Sequence, residues 1–90
     1  VLRVVTQDVE NSLTAIDSSS SRQLALGKAV VSSKRSFEQA DALYQLGLVS
    51  FLDVVDAQRV YANAEQALAT EQTNYATLIA DLFRALGMQS

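Results

Sequence analysis

Cysteine, proline, histidine and tryptophan are all missing from this chain, and glycine occurs only three times. Each absence removes a class of answer. Without His or Cys, a serine nucleophile has no usual base and a zinc ion has no usual ligand, so no enzyme, cofactor or metal site is expected. Without Pro, only Gly27, Gly47 and Gly87 punctuate ninety residues, near the middle and at the end. Seven scattered Lys and Arg against ten Asp and Glu give a net charge of -3, which lacks the electrostatic footprint of a nucleic-acid binder. Apolar residues make up 49% of the chain, yet the longest uncharged stretch, Ala42 to Leu52, is too short to cross a bilayer as a helix. The opening Val1-Leu2-Arg3 has no initiator Met and no signal-peptide pattern, so the sequence reads as a piece of a longer protein. A chain without Cys suits the cytosol and the periplasm alike.

What is present is a seven-residue repeat. Stepping by seven from Leu2 gives Val9, Ile16, Gln23, Val30, Phe37 and Tyr44, apolar or aromatic everywhere but Gln23. From Val54 the same step gives Tyr61, Leu68, Tyr75 and Leu82. Three residues after each position lie Val5, Ser12, Ser19, Leu26, Ser33 and Ala40 in the first half, and Ala57, Ala64, Glu71, Leu78 and Ala85 in the second. Large side chains at one core position thus alternate with mostly small ones at the other. The pattern predicts an all-α chain: two long helices in a left-handed supercoil, with their axes close together.

The bend between them can be placed. Gly47 suits the left-handed residue that closes a helix, Ser50 suits the N-cap of the next, and Asp53 at N3 gives a weaker form of the capping box. Val49 and Val54 are spaced for a hydrophobic staple. A connection this short forces antiparallel packing. The sequence therefore predicts helices over about 2–46 and 51–86 around a turn at 47–50, an antiparallel coiled-coil hairpin about 55 to 65 Å long.

Such a rod has more apolar surface than one partner covers. Leu13, Leu24 and Val31 lie off the seam of the first helix, and Ala62, Ala69, Ala76 and Phe83 form a second stripe on the other. A helix with two apolar sides needs two neighbours, whereas a lone hairpin gives each helix one. Packing against further helices is expected, from the parent chain or from other copies, and self-association of the fragment through this surface is left open.

Charge is divided unevenly. Residues 1–46 carry five basic and five acidic side chains; residues 47–90 carry Arg59 and Arg84 against Asp53, Asp56, Glu65, Glu71 and Asp81. Most of these read as a solvated helix face, with Asp81 and Arg84 paired three residues apart and Arg59 within the same reach of Asp56. Capping and the helix dipole account for Asp53 but less well for Asp56. Around Gly47 the turn is apolar, with Leu46, Leu48, Val49, Phe51 and Leu52 and no charge before Asp53, a pattern that marks a contact surface.

The stretch Tyr44-Gln-Leu-Gly-Leu-Val-Ser-Phe-Leu-Asp-Val-Val-Asp-Ala-Gln-Arg59 resembles the signature Y-x-x-G-x-x-x-(F/Y)-L-D-V-L-D-A-Q-R of the TolC-like outer-membrane efflux proteins. Upstream, Asp8-Val-Glu-Asn-Ser-Leu13 is similar to the family's V-E-(D/N)-A-L, and Ala64-Glu65 with Ala85-Leu86-Gly87 is similar to its A-E and A-L-G. The resemblance covers nearly the whole chain. It implies one of two helical hairpins per subunit of a trimer, forming a periplasmic tunnel below an outer-membrane β-barrel, with a periplasmic adaptor and an inner-membrane pump as partners. By position it implies a tunnel entrance at Leu52, Asp53 and Asp56, a gate latch at Tyr44 and Arg59, and adaptor docking through Leu46, Gly47, Leu48 and Val49. One departure is visible: some members carry a gate Arg two residues after the turn glycine, where this chain has Val49, which leaves Arg59 as the candidate. The rival reading is a generic antiparallel coiled-coil scaffold with no conduit role.

Overall fold

The structure, a computed structural model, describes the backbone of residues 2–87 and the side chains of residues 7–87. Two helices make up the fold: α1 runs over Leu2–Gln45 and α2 over Phe51–Gly87. They lie against each other along their length in a rod of 68 × 15 × 14 Å, an all-α antiparallel hairpin.

The heptad seam is where the two helices meet. Val9, Ile16, Gln23, Val30 and Phe37, with Ser12, Ser19, Leu26, Ser33 and Ala40, are all shielded on α1. On α2 every position of both series, from Val54 to Ala85, is shielded in the same way. Leu2 and Val5, which begin the predicted seam, lie outside the residues whose side chains are described. Tyr44 is the exception at the other end: it stands 42% exposed, because beside the turn its neighbour is Phe51, at a ring distance of 5.5 Å. Deeper in, Phe37 and Tyr61 stack across the seam at 6.1 Å.

A seam one side chain wide makes a thin core. Among the described residues Val54 is the one buried hydrophobic side chain, and the other buried side chains are Ser19 and Ser33, of which Ser19 is fully enclosed. Ser33 satisfies its hydroxyl within its own helix, facing the carbonyls of Ala29 at 2.7 Å and Val30 at 3.1 Å. It therefore lets the axes come close without tying them together. The off-seam residues that the sequence left over are uncovered: Leu13, Leu24 and Val31 on α1 and Phe83 on α2 are all more than half exposed. Leu24 and Val31 frame a shallow groove with Gln23, Gly27, Lys28 and Arg35.

The turn is built by backbone hydrogen bonds. Gly47 takes φ +78°, the left-handed conformation. Its N–H donates to the Tyr44 carbonyl (2.9 Å), and the Leu48 N–H donates to the Leu43 carbonyl (2.9 Å). These two bonds are the Schellman closure, which satisfies carbonyls that the end of α1 would otherwise leave open. Leu46 belongs to this turn rather than to the helix.

Candidate functional site

Besides the uncovered flanks, the turn and a cluster midway along the seam stand out on the rod. At the turn, Leu46, Leu48, Phe51 and Leu52 are each 59% or more exposed, a contiguous apolar tip on an otherwise polar end. The cause is local. A left-handed glycine followed by a three-residue run to the helix start projects its side chains outward, since nothing in a two-helix hairpin lies beyond them. Val49 is half shielded and Val54 is buried, as a staple over the first turn of α2 requires.

Only part of the predicted capping box forms. The Ser50 N–H donates to the Asp53 carboxylate at 3.3 Å, the Ser50 hydroxyl faces the same oxygen at 3.5 Å, and the Asp53 N–H donates to the Ser50 carbonyl at 3.1 Å. The carboxylate thus serves the helix start, while the serine hydroxyl does not reach the N3 amide. Asp56 is different: it is exposed and has no side-chain hydrogen-bond or ion-pair partner among the described residues. Asp56 and Arg59, though within reach of a local pair, do not form one; Arg59 is exposed too, and among the described residues neither its guanidinium nor the Tyr44 hydroxyl takes part in a hydrogen bond or ion pair. Among the described residues the ion pairs are Arg84–Asp81, at 3.8 Å on the solvated face, and Arg22–Glu71. With a helical period of 3.6, Asp53 and Asp56 fall on the flank of α2 away from the stripe of Ala62, Ala69, Ala76 and Phe83.

The second place is centred on Glu71, the charged member of the α2 seam series. Glu71 stands in the seam, its side chain only 11% exposed, and accepts from three donors. The Arg22 Nε and the Ser19 hydroxyl (2.8 Å) reach it from α1, and the Asn74 amide (2.8 Å) reaches it from one turn along α2. These bonds, Arg22 first, then Asn74 and Ser19, hold the carboxyl at about 2, well below its ordinary 4.5, against the opposing effect of burial. The signal was present in the repeat, since Glu71 was the one charged residue at a seam position of α2.

A pH dependence follows. A carboxyl whose folded pKa is depressed contributes stability that is complete above its unfolded value and lost as the pH falls through the folded one. Glu71 should therefore weaken the hairpin between about pH 4.5 and about pH 2. Arg22 is the charged group bonded to it. Thermal melts followed by circular dichroism across that window are expected to slope downward more steeply for the native chain than for Glu71→Gln. Parallel slopes would show that the clasp does not set the acid response.

Among the described residues no helix is long and apolar enough to cross a membrane, and no group of three or more His, Cys, Asp or Glu is placed to hold a metal ion. The geometry defines a long paired-helix rod with an apolar tip, acidic side chains one turn behind it, and uncovered flanks that fit it for packing beside other helices. The family model for outer membrane efflux proteins matches residues 2–88, and the chain belongs to that family. It is 36% identical over 85 residues to the outer membrane protein TolC of Escherichia coli (strain K12), and 34% identical over 85 residues to outer membrane protein TolC of Salmonella enteritidis. Each alignment covers 94% of this chain but 17% of the relative, so the chain spans about a sixth of the length of these curated relatives. No solved structure gives a significant match.

Proposed function

We propose that the chain is a periplasmic hairpin of a trimeric outer-membrane efflux duct, in which it forms tunnel wall, entrance gate and docking tip. Its role is passive: the energy for export would come from an inner-membrane pump joined to the duct through a periplasmic adaptor. The observation that carries this reading is the pairing of family membership across residues 2–88 with a rod whose flanks lack neighbours. A ring of hairpins supplies each helix with a second neighbour. A free-standing scaffold would leave Leu24, Val31 and Phe83 in water, which weighs against the coiled-coil alternative.

In the duct, Leu52, Asp53 and Asp56 would line the entrance, where repeated carboxylates attract cations. Tyr44 and Arg59 would latch the tip to neighbouring helices; the unpaired state of Arg59 in the hairpin leaves its guanidinium available for this. Opening would break these contacts as hairpins untwist, a two-state element biased by partners. Leu46, Gly47, Leu48 and Val49 would dock the adaptor.

The docking tip is the part most open to test. Burying two leucines at an interface contributes about 1.5–3 kcal/mol each, so replacing both with carboxylates should weaken adaptor binding by about a hundredfold or more. Leu46→Asp with Leu48→Asp in the complete protein is expected to abolish export and adaptor cross-linking while leaving assembly in the outer membrane intact. Normal export by an assembled double variant would remove the tip from the mechanism.

A further inference from the structure

The middle of the rod holds a structural contradiction. Residues Ser18, Ser19, Ser20 and Ser21 run consecutively inside α1. Serine is a poorer helix former than Ala, Leu, Glu or Lys because its hydroxyl competes for backbone hydrogen bonds. Adhesion to α2 is weak at the same place, since three of the four seam positions from Ser12 to Gln23 are polar, with Ile16 the exception. Two independent reasons therefore favour local opening of this stretch. Against them stands one device, the Glu71 carboxylate. It takes the hydroxyl of Ser19, which is 0% exposed, and the guanidinium of Arg22, one turn along, and so grips the serine run at Ser19 and just past its end.

The contrast with Ser33 is instructive. That serine is buried too, but its hydroxyl turns back onto its own helix. Ser19 instead reaches across to α2 at 2.8 Å. Asn74 donates to the same carboxylate oxygen that Ser19 bonds, fixing the Glu71 rotamer from its own helix. Lying twenty residues into α2, the cluster is about 30 Å from the turn at 1.5 Å per residue, beyond the reach of the backbone closure at Gly47.

We propose that Glu71 is a positioning residue that clasps residues 18–21 onto α2, making this stretch of α1 a releasable joint that opens locally when the clasp is lost. The joint sits within a paired rod, with heptad contacts on both sides of it. Loss of the clasp therefore frees residues 17–23 while the turn half of the hairpin stays closed. This inference does not depend on the duct reading, since it concerns only contacts inside the hairpin.

Hydrogen exchange read by mass spectrometry tests it, both on the ninety-residue chain and on the complete protein that carries it. Charge-assisted bonds to a shielded carboxylate are worth enough that Glu71→Gln should speed exchange over residues 17–23 by about ten- to hundredfold. Peptides covering residues 33–61 should keep their native protection. Ser20 and Ser21 are exposed and make no side-chain hydrogen bond, so Ser20→Ala with Ser21→Ala raises helix propensity without touching the clasp. Adding that pair to Glu71→Gln is expected to restore much of the lost protection. Should Glu71→Gln not fold, the serine pair in the native background still decides, because it should slow exchange over residues 17–23 and nowhere else. An even rise along the whole rod, no rise at all, or an unchanged serine stretch in the alanine variants would overturn the proposal.

Discussion

If Asp53 and Asp56 line the proposed entrance, replacing both by Asn in the complete protein is expected to cut its preference for cations about threefold in physiological salt, and by tens of times in dilute buffer. The size follows from Coulomb's law. A carboxylate about 10 Å from a cation on the tunnel axis contributes about 0.4 kcal/mol in water, so three copies of both residues would give about 2.5 kcal/mol. Screening over a Debye length of about 8 Å reduces that to roughly 0.7 kcal/mol, or about a factor of three. The steep salt dependence is itself diagnostic, since a steric gate would show none. The asparagine substitution separates charge from architecture. Asp53 accepts the Ser50 N–H at the start of α2, and an asparagine carbonyl can accept the same bond. Asp56 has no such duty, so Asp56→Asn alone should leave hairpin stability unchanged while removing about half of the electrostatic effect. Single-channel selectivity and divalent block, recorded at two ionic strengths, supply the measurement. Selectivity that ignores both substitutions at low salt would place these carboxylates away from the conduction path.

Gly47→Ala is expected to destabilise the hairpin by about 1–2 kcal/mol, and Gly47→Val by more. Gly47 holds φ +78°, where any side chain meets its own backbone. Crowding by neighbours is not the cause, because a Cβ built at Gly47 would find no atom within 4 Å. The penalty is therefore conformational, and Asn, which tolerates the left-handed region, should cost less than Ala. The consequence reaches beyond stability. Gly47 and Leu48 close α1 onto Tyr44 and Leu43, so a turn that reorganises would also re-aim Leu46, Leu48 and Phe51. Urea unfolding of the alanine, asparagine and valine variants gives the ranking; an alanine variant as stable as the native chain would mean that the turn has an alternative closure of equal energy.

Much of this molecule is legible before any coordinates, because its strongest signals are local or periodic. The heptad series from Val9 to Phe37 and from Val54 to Leu82 mark shielded faces simply because helices repeat every 3.6 residues and the pairing of two of them selects every seventh. The bend at Gly47 is legible for a related reason: one residue without a Cβ, in a chain without proline, is the cheapest place to reverse direction. The uncovered flank of Leu13, Leu24 and Val31 was likewise visible as an apolar surplus.

The failures share a cause as well. Asp56 and Arg59 have the spacing of a helical ion pair and do not form one, since both heads are exposed and long side chains in water gain little from pairing. The capping box closes on one side only, because the Ser50 hydroxyl turns to the Asp53 carboxylate instead of its amide. Glu71 stood at a seam position of the repeat, but its partners on α1 were not legible there.

The sequence alone settled the helical class, the seam, the place of the bend and the surplus apolar flank. Each of these depends on residues a few positions apart, whose geometry a helix fixes in advance. Only the tertiary structure decided that Glu71 takes its donors from Ser19 and Arg22, 52 and 49 residues away. Which side chain on α1 faces a given one on α2 depends on how the closed turn sets the stagger of two long helices, and no local pattern contains that offset.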